Sequence, residues 1–148
     1  MYTVEEFDKY KFKVMNYIMY KKRTKQEVIN KFTTSIPQEI LEDIIMYTEE
    51  AGYLNDMEYI KKAVNEFSCL KNLSIKEIVY KLMSKGIKKS QIDDYILDNK
   101  DKLEEYELKS AINIKNKKAL FFTKEELQEY LIKKGYKQDT IKCVLEEE

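Results

Sequence analysis

Lysine is the side chain whose placement in this sequence comes nearest to a functional pattern. Lys21, Lys22, Arg23 and Lys25 stand together, followed by Lys85, Lys88 and Lys89, by Lys115, Lys117 and Lys118, and by Lys133, Lys134 and Lys137. Ammonium groups gathered in this way hold carboxylates or phosphates without making or breaking bonds. If the clusters fall at equivalent places on a repeated scaffold, they stripe one face of it with positive charge. The competing reading is that lysines near helix C-termini complement the helix dipole and keep the surface solvated.

Residue types used for catalysis or metal binding are scarce. There is no His, and Cys69 and Cys143 stand apart with no Cys-x-x-Cys pair, so a zinc site would need two thiols and carboxylates. Both cysteines read as small core-facing residues in a reducing compartment. No Gly-rich phosphate loop or nucleophile motif is present. The densest acidic stretch, Ile92 to Glu105, alternates carboxylates with lysines and reads as solvated helix ends and a linker. The expectation is a protein that is not an enzyme and uses no cofactor or metal. Tyrosine is abundant, and its rings can stack on bases. Most of the tyrosines fall at helix-core spacing, which favours packing with the hydroxyl at the rim.

The elements that must position these residues repeat. Thr24 to Phe32, Ser74 to Leu82 and Thr123 to Leu131 each open on Ser or Thr, carry Glu three residues later and continue with matched apolar positions. Each opening is a capping box: the hydroxyl accepts from a backbone N–H in the first turn, and the carboxylate of Glu27, Glu77 or Glu126 returns a bond. The apolar anchors are Val28 and Phe32, Ile78 and Leu82, and Leu127 and Leu131. Gly86 and Gly135 then sit where a helix must stop in a left-handed turn. The first copy lacks that glycine and uses Ile36 and Pro37. Beyond the stop, the apolar positions are Ile40, Leu41, Ile44 and Ile45, then Ile92, Tyr95 and Ile96, then Ile141, Val144 and Leu145.

A longer helix precedes each box. Phe7, Tyr10, Val14, Tyr17 and Ile18 mark one apolar face, and Ile60, Ala63, Val64, Phe67 and Leu70 another. The third, from about Leu103 to Lys118, is less regular. In "GYLND", Gly52 stops a helix, Tyr53 and Leu54 are expected as core plugs, and Asn55 or Asp56 caps the next helix. With one Pro and three Gly in the chain, strand-dense folds are disfavoured. The expected fold is all-α: three tandem three-helix repeats, residues 1–56, 57–101 and 102–148, forming an elongated, curved array. No apolar run is long enough to span a membrane, and the N-terminus has no signal-peptide pattern, so a cytoplasmic protein is expected, and a monomer, because such an array needs no symmetry mate.

Three tandem three-helix repeats, with "GYLND" at Gly52 to Asp56, "KGI" at Lys85 to Ile87 and "KKGY" at Lys133 to Tyr136, resemble the bacterial RecX regulatory proteins. The likeness extends over nearly the whole chain. It implies a regulator that binds RecA recombinase filaments along their groove and modulates, in the inhibitory direction, ATPase, recombinase and coprotease activities in DNA repair and the SOS response. The lysine clusters would then face the filament or its DNA. Family members are often basic, whereas this chain carries 27 cationic and 27 anionic side chains. The resemblance therefore implies filament contact ahead of autonomous DNA binding, with weak binding to single- or double-stranded DNA at most. Two other readings of the residues stay open: a helical-repeat adaptor for a different protein, and a helix-turn-helix-like DNA binder.

Overall fold

A computed structural model of the chain describes residues 1–146. It contains nine helices and no strand among those residues: α1 (Val4–Tyr20), α2 (Lys25–Phe32), α3 (Gln38–Glu50), α4 (Asp56–Leu70), α5 (Ile75–Ser84), α6 (Lys89–Asp98), α7 (Lys100–Lys118), α8 (Lys124–Lys134) and α9 (Gln138–Glu146). The expected apolar contact of the Leu70 side chain and the last two residues of the third expected repeat, 147–148, lie outside the described residues.

Helices α2, α5 and α8 start because their capping boxes form. Thr24, Ser74 and Thr123 each accept from the N–H of the glutamate three residues on, and each glutamate accepts from the N–H of its cap. The α5 and α8 ends are set by Gly86 at φ 83° and Gly135 at φ 92°, after which Ile87 and Tyr136 donate back to Leu82 and Leu131. These backward bonds satisfy carbonyls that the helix end would otherwise leave open. Gly52, at φ 82°, does the same after α3, where Tyr53 and Leu54 both donate to the Thr48 carbonyl.

Side chains at helical spacing fill three successive cores. Val14, Ile18, Val28, Phe32, Ile36, Ile40, Leu41, Ile44, Ile45 and Leu54 form the first. The second runs from Ile60 to Leu103, and the third from Ala111 to Val144. All six capping-box anchors are buried. The accessible surface is 10032 Å², against about 8,000 Å² for an equant monomer of 17.8 kDa. Three small cores in file expose more surface than one large core, so the molecule is elongated.

Several expectations are corrected. Tyr53 is 48% exposed, and only Leu54 plugs the core. Once the chain has reversed at Gly52, adjacent extended residues point to opposite sides, so one of the pair must face out. Cys69 and Cys143 are exposed, on the outer faces of α4 and α9. The stretch from Ile92 to Glu105 holds no linker, because Asn99 alone separates α6 from α7. Helix α7 has no single regular apolar face because it serves two cores: Leu103 and Tyr106 pack into the second, Ala111 and Ile114 into the third.

The glycines are not equivalent. A Cβ on Gly86 would lie 2.4 Å from the Cβ of Gln26, and one on Gly135 would lie 2.9 Å from the Cδ of Lys76, whereas none meets anything within 4 Å at Gly52. Gly52→Ala should therefore cost about 1–2 kcal/mol in urea unfolding, the price of a left-handed alanine. Gly86→Ala should cost more, because backbone strain and a clash add. In a double-mutant cycle, Gln26→Gly should recover part of the Gly86→Ala loss and none of the Gly52→Ala loss.

Candidate functional site

The repeat's polar residues assemble at the joints between units. Where the first unit (α1–α3) meets the second (α4–α6), the Thr24 hydroxyl donates to the Lys85 carbonyl at 2.8 Å while accepting from Glu27 N–H. Where the second meets the third (α7–α9), the Ser74 hydroxyl donates to the Lys134 carbonyl at 2.6 Å while accepting from Glu77 N–H. Both hydroxyl residues are 0% exposed. The capping glutamates are also shared, with Lys85 Nζ 3.9 Å from Glu27 and Lys134 Nζ 3.4 Å from Glu77.

A carboxylate from the following unit completes each joint. Asp56 accepts from Lys25 N–H at 2.9 Å, and Glu107 from Ile75 N–H at 3.2 Å, in each case the first residue of the capped helix. The second joint carries further polar contacts. Tyr106 donates to the Leu73 carbonyl at 2.8 Å, Ser110 bonds Tyr136 at 2.6 Å, and Tyr136 donates to the Asn72 carbonyl at 3.3 Å. Burial raises the pKa of Tyr106 and Tyr136, so both stay protonated donors at neutral pH.

Several of the expected cations serve the fold. Arg23 stacks 3.8 Å over the Tyr17 ring and donates to the Tyr17 carbonyl. Lys115 donates to the Val144 carbonyl at 2.9 Å. Lys118 lies 5.4 Å from the Phe122 and Tyr130 rings. Lys25 pairs with Glu49, Lys89 with Asp93, and Lys137 with Glu104. Lys88 and Lys117 are exposed. Of the structural residues, Gly52, Leu54, Asp56, Gly86 and Gly135 each hold a turn, a core or a joint.

What remains gathers in two basic clefts, one at each joint. The first, of about 210 Å³, is lined by Lys21, Lys22, Lys62 and Lys85 with Glu27, Tyr59, Ala63 and Glu66. Lys21, Lys22 and Lys62 are in no ion pair among the described residues, so three ammonium groups are available to an anion there. The second, of about 490 Å³, sets Lys76, Lys81, Lys133 and Lys134 around Tyr80 and Ile132. Lys62, Lys76 and Lys81 were not among the expected site residues. Tyr59, Lys62, Ala63 and Glu66 fall at helical spacing beside the core face of α4, a pattern that was available in the sequence.

No group of three or more Cys, Asp or Glu placed to hold a metal occurs among the described residues, and none of the described helices is long and apolar enough to cross a membrane. Fold and clefts together define a tandem array of three-helix units with a basic cleft at each joint. No protein-family model matches the chain. A regulatory protein RecX from Finegoldia magna is 30% identical over 141 residues, covering 88% of this chain and 67% of the relative. RecX proteins of Staphylococcus epidermidis and Bacillus cytotoxicus are each 27% identical, over 99% and 97% of this chain. The chain spans 58% and 55% of the length of those two relatives. The crystal structure of RecX from Lactobacillus salivarius superposes with a TM-score of 0.84 at 22% identity, over 98% of this chain and 97% of that one. A second RecX crystal structure gives 0.83 at 20% identity, over 96% and 74%. The chain belongs to the RecX family of regulatory proteins.

Glu107 yields a pH dependence. It is 0% exposed, and burial raises its pKa against the opposing Ile75 N–H bond and the nearby Lys137, with Glu104 adding to the rise. A carboxyl whose folded pKa lies above its unfolded value binds protons more tightly when folded, so its contribution falls as pH rises through that window. Glu107→Gln keeps the acceptor for Ile75 and removes the buried charge. Its melting temperature should exceed that of the parent at pH 7, with the difference shrinking toward zero as pH falls to 4.5 and below.

Proposed function

We propose that the chain is a non-enzymatic regulator of RecA recombinase that lies along the RecA–DNA filament, lowers its activities, and works as a cytoplasmic monomer. Membership of the RecX family is the observation that carries this reading. The elongated array supports it, because units in file can reach neighbouring protomers of a filament. The mechanism is differential affinity: a ligand that fits one filament geometry better than another shifts the population toward it. In this reading the cleft of Lys21, Lys22 and Lys62 takes acidic side chains of RecA or phosphates of its DNA. Balanced charge favours the protein contact, since strong autonomous nucleic-acid binding draws on a basic surplus.

The test is ATP hydrolysis by RecA filaments on single-stranded DNA from the same organism, titrated with this protein at fixed salt. Hydrolysis should fall at substoichiometric amounts. The triple variant Lys21→Glu, Lys22→Glu, Lys62→Glu should need at least about tenfold more protein for the same effect, with unchanged helical circular dichroism. Unaltered hydrolysis together with absence of co-sedimentation on the filament would refute the reading.

A further inference from the structure

A turn in the last unit and a groove in the first carry apolar side chains that the core does not use. The turn joins α7 to α8. Phe121 and Phe122 both donate to the Lys118 carbonyl at 2.9 Å, and the Phe122 ring packs into the third core. Leu120 and Phe121 are left facing outward, 92% and 77% exposed. The matching places ahead of the other two caps are polar, with Lys21 and Lys22 in the first unit and Lys71 and Asn72 in the second. Within four residues on either side of the apolar pair, the charged groups are Lys117, Lys118, Lys124 and Glu125, a net positive set.

The groove lies between α2 and α3. Its volume is about 480 Å³, and its apolar floor is Ile29, Leu41, Ile45 and Met46, the last 58% exposed. Its rim is acidic, because α3 carries Glu39, Glu42, Asp43, Glu49 and Glu50 and no Lys or Arg. Glu49 pairs with Lys25, whereas Glu42 accepts only from the Gln38 amide, at 2.8 Å, and is in no ion pair among the described residues. The corresponding groove of the third unit, between α8 and α9, is polar. There Gln128, Lys142 and Glu146 stand where the first unit has Ile29, Glu42 and Met46. The repeat itself therefore does not impose the apolar floor.

We propose that turn and groove are the two halves of one contact between copies of this chain, in which Leu120 and Phe121 of one copy enter the α2–α3 groove of the next. Apolar side chains meet an apolar floor, and Lys117, Lys118 and Lys124 come against an acidic rim. One chain cannot close the contact on itself, because its turn is anchored in the third unit and the second unit lies between that turn and the groove. The two surfaces differ, so the association is head-to-tail and open-ended. Two side chains bury far less than the about 1,000 Å² of a stable interface. Dissociation then falls near about 1 mM, and the free chain stays monomeric at micromolar concentration. Copies held in succession along an extended partner are brought close enough to touch. The self-contact does not rest on the RecA reading; only its use along a filament does.

The test is sedimentation equilibrium of the isolated full chain at low salt. Near about 1 mM the weight-average mass of the parent should exceed that of the monomer at least about 1.5-fold and keep rising with concentration. Phe121→Glu places a charge on the turn and Met46→Glu one in the groove; both positions are exposed, so helical circular dichroism should not change. Each variant alone should remain a monomer. An equimolar mixture of the two should associate again, because one supplies an intact groove and the other an intact turn, and it should stop at the dimer. A monomeric parent at that concentration, association that survives either substitution, or a mixture that stays monomeric would overturn the proposal, whatever the outcome with RecA.

Discussion

One hydroxyl at each joint holds two helices from different units. A helix starts with N–H groups that have no partner and ends with carbonyls in the same condition. Thr24 and Ser74 answer both needs at once, accepting from the start of one helix and donating to the end of another. The approach places the negative end of one helix dipole at the positive end of the next, which is favourable in a site closed to water. Since the hydroxyls are fully buried, each bond is also obligatory: a hydroxyl deprived of its carbonyl there would bear its desolvation cost alone.

The rest of the architecture follows from that contact. For the carbonyl of Lys85 or Lys134 to reach the hydroxyl, the residue after it must come against the first turn of the neighbouring helix, where a side chain has no room. Glycine is thus required twice over, by its left-handed φ and by the closeness of the partner. The capping glutamates and the acids at Asp56 and Glu107 fill the remaining positions around the same turn. With adjacent units fixed this way, the cores lie in file and do not merge. Stability in such an arrangement approximates a sum over units and their interfaces.

Much of this was legible as local pattern. The capping boxes, the apolar anchors and the stops at Gly86 and Gly135 each need only a few neighbouring residues, and all formed as read. What was not legible depended on residues far apart in sequence. Nothing near Ser74 announces Lys134, and nothing near Ile75 announces Glu107. Helix α7 read poorly because its apolar residues answer to two cores, so no single face is apolar along its length. The cysteines look apolar by type, but α4 and α9 place them outside the core stripe. Among the lysines, cluster membership did not separate cations committed to rings and carbonyls, such as Lys118 and Lys115, from those that line a cleft. That distinction rests on the fold.

The position of Arg23 limits the chemistry that this surface can offer an anion. It is the one guanidinium in the chain, and it sits over the Tyr17 ring. Every exposed cation is therefore an ammonium, a compact charge on a flexible stem that lacks the planar fork with which arginine fixes the orientation of a carboxylate or phosphate. Contacts made by such groups tolerate rotation and small slips of register. Were an anionic partner held there as proposed, charge density and shape would have to select it, because no planar fork fixes its orientation.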